Sequence, residues 1–276
     1  MPLLHAIVLG IVQGLSEFLP ISSSGHLILV PWVFGWEELT RAPELNRAFD
    51  VALHMGTFVG ALVYFRADVA RFAAAGLRSL RRRGIEGPDE RMAWLLAVSA
   101  VPAAVAGAAL DAAVGGQLTP EWVIGALLVV FAGILLIADR LPGARPETGF
   151  GVRDAVLMGG AQAVALFPGV SRSGVTISMG RWLGFQRDSA ARLSFLMSLP
   201  VIGGAGIYEA TKLLRDGGIP AGFGPAFAWG AVASGVTGFA AVAVLIRYLR
   251  TRSFLPFVVY RVALGAAVIA LAFSRQ

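Results

Sequence analysis

The hydrophobic positions of this 276-residue chain fall into long apolar runs separated by shorter, arginine-rich polar segments. Six of the runs approach the ~20 residues that an α-helix needs to cross a bilayer, and they predict transmembrane helices. These predicted spans are residues 49–65, 92–110, 122–138, 193–208, 226–246 and 254–273. The pattern therefore predicts an all-α polytopic membrane protein.

Two further apolar stretches, residues 2–35 and 153–185, are interrupted by proline and by clusters of serine and glycine. The interruptions leave halves that are too short to cross a bilayer alone. We therefore predict that each stretch forms a re-entrant helix hairpin.

The two predicted hairpins begin the two halves of an internal repeat, residues 1–145 and 146–276. A shift of 149 residues places residues 22–25 on residues 171–174, and it aligns the preceding apolar segments as well. Each half then contains one hairpin and three transmembrane helices. Because three is odd, the second half is predicted to be inserted upside down, which defines an inverted-topology repeat with a site where the hairpins meet. Chance similarity between helices rich in small residues is the alternative.

Composition agrees with a membrane protein, since 57% of the residues are apolar and 14% are charged, against roughly 45–50% and about 25% in soluble domains. The net charge of +6 could suggest a nucleic-acid partner. The arginines lie between the apolar runs, however, as they do in cytoplasmic loops, so we predict no nucleic-acid binding. The absence of cysteine excludes disulfides and thiolate chemistry.

The arginine distribution predicts the orientation in the membrane. Residues 66–91 contain seven arginines and are interpreted as a cytoplasmic loop, whereas residues 111–121 contain none. Asp139, Arg140 and residues 81–83 are interpreted as solvated groups or contacts to lipid headgroups. The first five residues lack the cationic segment of a cleaved signal peptide, so the apolar start is expected to be retained.

The tip of the first predicted hairpin contains several polar groups. Gln13 and Glu17 are four residues apart and therefore share one face of a helix. Residues 22–25, three serines and a glycine, can begin the next half-helix and offer hydroxyls and backbone N–H groups to an anion. His26 follows, and an imidazole can transfer a proton or attack phosphorus.

The tip of the second predicted hairpin complements the first, because residues 171–174 repeat the serine-rich start and add the guanidinium of Arg172. A composite site would combine a carboxylate, an imidazole, an arginine and several hydroxyls. These groups suit phosphoryl transfer assisted by a divalent cation. A substrate that reaches this depth should be a lipid with its phosphate at the tips.

Simpler interpretations and a rival function stay open at this point. The serines could only cap helices, Glu17 and His26 could form a structural pair, and Arg172 could only neutralise Glu17. A transporter or flippase of polyprenyl phosphates would also use inverted repeats with broken helices. The imidazole near Glu17 favours an enzyme, because a carrier of phosphate needs no group that transfers protons. A purely structural membrane protein would leave the paired tips unexplained.

At the two tips the sequence resembles the bacterial undecaprenyl-diphosphate phosphatase family, also called bacitracin-resistance proteins. The matching segments are residues 13–26, with the pattern Gln/Glu-x-x-x-Glu followed by Pro-x-Ser-Ser-x-Gly-His, and residues 168–176, Pro-Gly-x-Ser-Arg-Ser-Gly-x-Thr. Residues 49–57 and 254–261 extend the similarity. The resemblance implies hydrolysis of the terminal phosphate of undecaprenyl diphosphate, which recycles the cell-wall lipid carrier and confers bacitracin resistance. It also implies Mg²⁺ or Ca²⁺ as cofactor and a site that opens to the outer face of the bacterial inner membrane.

The resemblance also implies roles for individual residues. The catalytic residues would be Glu17, His26, Ser23 and Arg172, with the attacking atom left open. The substrate-binding residues would be Gln13, Ser22, Ser24, Gly25, Ser171, Ser173, Gly174 and Thr176. Glu17 would be the metal ligand, and because position 13 is Gln where many members have Glu, metal binding should depend more on Glu17 and the substrate. The expected partners are the polyprenyl diphosphate and membrane lipids, and a homodimer is considered.

Overall fold

The structure is a computed structural model that describes residues 1–36, 43–114, 119–215, 218–219 and 222–275. Within these residues the fold is all-helical, as predicted, with one short 3₁₀ turn at Glu147–Gly149. The α-helices are α1 (Leu3–Phe18), α2 (Ser23–Phe34), α3 (Pro43–Tyr64), α4 (Arg66–Arg82), α5 (Pro88–Val114), α6 (Glu121–Arg140), α7 (Val152–Val164), α8 (Arg172–Trp182), α9 (Arg187–Arg215), α10 (Gly224–Leu249) and α11 (Leu255–Ser274).

Among the described residues, five helices are long and apolar enough to cross a membrane, namely α5, α6, α9, α10 and α11. A sixth span comes from α3 if α3 and α4, which meet at an angle of 86°, count as one bent pair. The prediction of a polytopic helical membrane protein is therefore confirmed. The six predicted spans overlap α3, α5, α6, α9, α10 and α11, and they extend one residue past the end of α3 and one residue before the start of α11.

The segment interpreted as an arginine-rich cytoplasmic loop is largely a helix, α4. Phe72, Ala75 and Ser79 form its buried face, whereas its arginines and two leucines, Leu77 and Leu80, are exposed. The indole Nε1 of Trp94 on α5 donates a 3.0 Å hydrogen bond to the Ser79 hydroxyl. An assignment from the arginines alone does not detect this amphipathic pattern, which is typical of a helix lying along a membrane surface.

Each of the two predicted hairpins consists of two short helices joined by a break, α1 with α2 and α7 with α8. Pro20 lies in the first break and Pro168 in the second, where a proline cannot continue a helix. Both breaks end at a serine with a left-handed backbone, φ 78° at Ser22 and φ 73° at Ser171. The re-entrant course of these hairpins through a membrane stays a prediction.

The first hairpin packs closely on α10 through small residues. A Cβ at Gly10 would lie 2.3 Å from the carbonyl oxygen of Gly230, and a Cβ at Gly14 would lie 2.5 Å from that of Ser234. Glycine therefore lets the two backbones touch, as small residues do in membrane helix pairs. The pair buries the face of α1 that contains Gln13 and Glu17.

Two helix pairs between the predicted halves run antiparallel. Gly125 on α6 and Gly265 on α11 pack on each other reciprocally, and Arg261 reaches the carbonyl of Leu128. Met55 of α3 lies against Gly206 of α9, and Phe58 lies against Gly203. An inverted repeat would produce such antiparallel pairs, and the repeat with its boundary at residues 145 and 146 stays a prediction.

Candidate active site

The tips of the two hairpins are joined by direct hydrogen bonds. The Ser22 hydroxyl accepts a 3.1 Å hydrogen bond from the backbone N–H of Gly169. In the opposite direction, the Ser173 hydroxyl donates a 3.0 Å hydrogen bond to the carbonyl of Leu19. The structure therefore brings together the two polar segments that the sequence places 149 residues apart.

Arg261 of α11 holds both breaks from one side. Its side chain is 0% exposed, and its guanidinium donates to the carbonyls of Pro20 at 3.2 Å, Gly169 at 2.9 Å and Val170 at 3.1 Å. The Nε–H donates at 3.2 Å to the carbonyl of Leu128. Backbone carbonyls that a helix break leaves unpaired are thus satisfied by a buried arginine, which stabilises the irregular backbone.

The serines at the start of α2 and α8 act as helix caps. The Ser22 hydroxyl accepts from the N–H of Gly25 at 3.4 Å, and the Ser171 hydroxyl accepts from the N–H of Gly174 at 3.1 Å. A Cβ at Gly174 would lie 2.9 Å from the Arg261 guanidinium. Both Ser22 and Ser171 therefore cap a helix, each by accepting a hydrogen bond from the glycine three residues later.

Glu17, 5% exposed, is the centre of the polar cluster. Its Oε2 accepts hydrogen bonds from the Gln13 amide at 3.0 Å and from the Ser23 hydroxyl at 2.6 Å. Its Oε1 forms an ion pair with Arg172 from the other hairpin. The Nε2 of His54 on α3 lies 3.6 Å from Oε2. The carboxylate therefore contacts side chains from four helices, α1, α2, α3 and α8.

His26 is 7% exposed and is bound at both ring nitrogens. Its Nδ1 lies 2.6 Å from the carbonyl of Ser22, and its Nε2 lies 2.7 Å from the hydroxyl of Tyr260, whose ring stacks on the imidazole. Because a carbonyl only accepts, Nδ1 carries the proton, and in the neutral ring Nε2 accepts from Tyr260. This engagement leaves His26 poorly placed to attack phosphorus itself.

The remaining predicted residues lie around this cluster with different contacts. The Thr176 hydroxyl donates to the carbonyl of Arg172 at 2.8 Å and lies 2.6 Å from the Ser194 hydroxyl of α9. The hydroxyls of Ser171 and Ser173 are 3.3 Å apart. Ser24, half-buried, forms no side-chain hydrogen bond within the described part of the chain. The predicted role of these residues in substrate binding stays a prediction.

Sequence reasoning missed the roles of Tyr260 and Arg261, which it noted only as part of the resemblance. An arginine inside an apolar span was the available signal, because intramembrane charges are costly and need partners. The interpretation of Asp139 as solvated was wrong. Asp139 is buried, accepts from Arg187 Nε at 2.5 Å, and accepts from the backbone N–H of Phe254 at 2.9 Å.

The described residues contain no group of three or more His, Cys, Asp or Glu side chains that could hold a metal ion by themselves. One oxygen of the cluster is nevertheless unusual, because the buried Gln13 Oε1 has no hydrogen-bond partner among the described residues. It belongs to the same amide whose Nε2 donates to Glu17. A buried amide oxygen beside a carboxylate is a pair of ligands that Mg²⁺ and Ca²⁺ accept.

Chemically, the cluster pairs a hydroxyl with a base and a cation. Ser23 donates to the carboxylate of Glu17, as a nucleophile does to its general base, and Arg172 offers a planar guanidinium that suits phosphate. These groups, buried among membrane-spanning helices, are typical of an integral-membrane enzyme that acts on a phosphorylated lipid.

The chain belongs to the family described as BacA, bacitracin resistance protein BacA, whose profile matches residues 6–267. Relatives named undecaprenyl-diphosphatase include that of Pelobacter propionicus, which is 45% identical over 98% of this chain and 97% of its own length. That of Nocardioides sp. is 45% identical over 97% of this chain and 96% of its own. That of Geobacter sulfurreducens is 44% identical over 100% of both chains. These names support the phosphatase prediction and lend no support to the transporter alternative.

Proposed function

We propose that this chain hydrolyses undecaprenyl diphosphate to undecaprenyl phosphate and inorganic phosphate. The observation that carries the proposal is the contact of Ser23 and Arg172, from different hairpins, with the two oxygens of Glu17. A nucleophile, its base and a phosphate-binding cation thereby meet at one buried point. The names of the relatives supply the substrate.

In this proposal, Arg172 releases Glu17 and binds the diphosphate when the substrate enters. In this structure the Arg172 side chain, 20% exposed, is paired with Glu17. This pair by itself would only neutralise the buried carboxylate. A diphosphate presents several charged oxygens and can accept both edges of the guanidinium fork, which one carboxylate oxygen does not. Arg172 then binds the diphosphate, and Glu17 becomes available as a base. The prenyl chain lies between the apolar helices.

The chemical step is an in-line attack by the Ser23 hydroxyl on the terminal phosphorus. The Ser23 proton passes to Glu17 Oε2, which lies 2.6 Å away, a new oxygen–phosphorus bond forms, and the bond to the bridging oxygen breaks. The electron pair of that bond leaves with undecaprenyl phosphate, which needs little protonation. Water then attacks the phosphorus of the phosphoserine, and the bond between phosphorus and the Ser23 oxygen breaks. Glu17 returns its proton to that oxygen, inorganic phosphate departs with one proton of the water, and the other proton passes to solvent.

His26 has a positioning role in this proposal. Ser22 and Tyr260 hold both ring nitrogens, and His26 lies one helical turn after Ser23 on the same face of α2. The ring therefore fixes the start of α2, where Ser23 must present its hydroxyl to phosphorus. Such positioning contributes to the rate through orientation.

A divalent cation, Mg²⁺ or Ca²⁺, is proposed as cofactor, held by Glu17 and the Gln13 Oε1. The unpartnered state of that buried oxygen supports this choice. Mg²⁺ commonly uses one or two protein ligands together with waters and substrate phosphates, so a full protein cage is not required. When bound, the cation neutralises charge on the diphosphate oxygens.

The proposed location is the bacterial inner membrane, with the site opening to the outer face. The arginines of residues 66–91 support a cytoplasmic position for α4 under the positive-inside bias. The homodimer stays a prediction.

The test is phosphate release from undecaprenyl diphosphate by the purified full-length chain in detergent, with and without EDTA. We expect release that EDTA abolishes and that collapses in Glu17→Ala, His26→Ala and Arg172→Ala. Thermal unfolding of each variant controls for folding. A wild-type protein that binds the lipid diphosphate but releases no phosphate in the presence of Mg²⁺ or Ca²⁺ would overturn the proposal.

A further inference from the structure

A second arginine-rich site lies at the other end of α8 from the candidate active site. A cavity of about 500 Å³ opens where α6 and α10 end and α9 begins. Arg172 and Arg181 are nine residues apart on α8, which corresponds to about 14 Å along the helix axis. The charged residues that line the cavity are Arg140, Arg181, Arg187, Arg250, Asp139 and Asp188.

Two of the four arginines are already engaged within the protein. Arg187 Nε lies 2.5 Å from Asp139 Oδ1, and its Nη2 donates at 3.0 Å to the Asp139 carbonyl. Arg181 donates to the carbonyls of Phe185 and Leu141. These bonds make the wall rigid, and the Arg187 pair neutralises Asp139, so the cavity has an excess of positive charge.

The other two arginines have no partner in the described structure. Arg140 and Arg250 are exposed and form neither a hydrogen bond nor an ion pair with any described residue. In addition, the Nε–H of Arg181, a residue only 3% exposed, is buried and has no hydrogen-bond partner in the described part of the chain. A buried donor without a partner is costly, and a bound water or ion is one way in which native proteins satisfy such a group.

The helix ends around the cavity act in opposite directions. The N-terminus of α9 begins at Arg187 and favours an anion, whereas the C-termini of α6 and α10 disfavour one. Arg140 and Arg250 lie at those two C-termini and offset their partial negative charge. The summed electrostatics therefore favour an anion in the cavity.

We propose that this cavity binds a phosphate group. Arginine recognises phosphate through paired N–H donors, and two arginines without partners at one opening can share a single phosphate. The phosphate could be free or could belong to a lipid headgroup, and the surroundings favour the lipid. Ile137 of α6 and Val244 of α10, less than two turns before the cavity, are exposed apolar side chains on membrane-spanning helices. Acyl chains can lie along these helices while the headgroup enters the cavity.

The test compares two charge-matched double variants of the full-length chain. Arg140→Gln/Arg250→Gln removes the two arginines of the cavity. Arg66→Gln/Arg78→Gln removes two exposed arginines of α4, which lie outside residues 81–83 and far along the chain from the cavity lining. Phosphate release from a detergent-solubilised polyprenyl diphosphate, which uses neither pair, confirms that both variants are folded.

The readout is thermal stabilisation of delipidated protein by short-chain phosphatidylglycerol, phosphatidylcholine or inorganic phosphate. A ligand that binds only the folded state raises the melting temperature. We expect phosphatidylglycerol to stabilise the wild type and the α4 variant, and its half-saturating concentration to rise at least fivefold in the cavity variant. Stabilisation by inorganic phosphate that the cavity variant alone loses would identify free phosphate as the source. Equal responses of all three proteins, or equal losses in both variants, would overturn the proposal.

Discussion

The two hairpin tips share a backbone arrangement and differ in chemistry. In each tip a left-handed serine, Ser22 or Ser171, precedes a half-helix and accepts a hydrogen bond from a glycine N–H three residues later. Glycine and serine thus serve the same purpose in both tips, namely to begin a helix abruptly after a break. The two tips are therefore similar in their backbone and in their helix caps.

The difference lies in the side chains that the shared scaffold presents. Under the shift of 149 residues, Ser23 corresponds to Arg172, and these two residues donate to opposite oxygens of Glu17. Glu17 itself corresponds to Leu166 and His26 to Val175. One tip therefore supplies the reacting groups and the other supplies a cation. In the proposed mechanism, the first tip therefore attacks phosphorus and the second tip binds the diphosphate.

The largest expected effect on activity comes from removing the hydroxyl of Ser23, the residue of the first tip that corresponds to Arg172 in the second. Ser23→Ala should lower kcat by ~10⁴-fold or more, because the nucleophile is lost while binding by Arg172 persists. Phosphate release at saturating undecaprenyl diphosphate measures it. Ser274→Ala is the control, since this serine lies at the end of α11 and donates to the carbonyl of Leu271, and it should stay close to wild type. A Ser23→Ala variant that retains a tenth of the turnover would return the role of nucleophile to water or His26.

A change at Arg172, the corresponding residue of the second tip, should have a smaller effect, and this effect should be on binding of the diphosphate. Arg172→Lys keeps the charge but loses the bidentate fork, so kcat/KM should fall by about 10–100-fold, as expected for one charge-assisted hydrogen bond of about 1.5–3 kcal/mol. Steady-state kinetics over a range of substrate concentrations measure this ratio. Arg145→Lys is the control, because Arg145 forms an ion pair with Asp154 elsewhere in the protein. Unchanged kcat/KM in Arg172→Lys would argue against a diphosphate clamp.

A third comparison sets Gln13 against its counterpart in the repeat, Gln162. Both are buried, and both have an Oε1 without a partner among the described residues, but the Gln162 amide donates to the Ser99 carbonyl whereas the Gln13 amide donates to Glu17. If Gln13 is a metal ligand, Gln13→Ala should raise the half-saturating Mg²⁺ concentration about tenfold, an effect comparable to other losses near a metal. Activity in a Mg²⁺ titration measures it. Gln162→Ala should leave the titration unchanged, and equal shifts in both variants would contradict the assignment.

The smallest effect is expected at the partner of His26. Tyr260→Phe keeps the stacked ring and removes the hydroxyl 2.7 Å from Nε2, so kcat should fall about fivefold with KM unchanged, in line with one neutral hydrogen bond. Initial rates over a range of substrate concentrations separate the two constants. Tyr248→Phe is the control, because the Tyr248 ring packs edge-on against Phe257. A rise in KM without a change in kcat would place Tyr260 in substrate binding.

Local patterns were enough to predict the helices and the breaks between them. The predicted spans match long helices to within one residue at the end of α3 and the start of α11. The proline and serine clusters mark the end of α1 and the starts of α2 and α8. Helix-breaking by proline and capping by serine act over a few residues, so the nearby sequence encodes them. Gln13 and Glu17 also meet as predicted, because residues four apart share a helix face.

Other features depended on residues that are distant along the chain. The burial of one face of α4 was not predicted, because α5 covers that face and Trp94 of α5 donates to Ser79 across the two helices. Asp139 was interpreted as solvated, because its partners are Arg187 and the N–H of Phe254. Such long-range contacts leave little local trace in a single sequence.

The sequence by itself determined the class of this protein, the positions of the two breaks and the polar residues at each. Only the tertiary structure decided that Ser23 and Arg172 meet on one carboxylate, and that Tyr260 engages His26 from the far end of the chain. The physical reason is that apolar runs and caps are satisfied locally. A buried charge such as Glu17 or Arg261, in contrast, needs partners that only helix packing can bring within hydrogen-bonding distance.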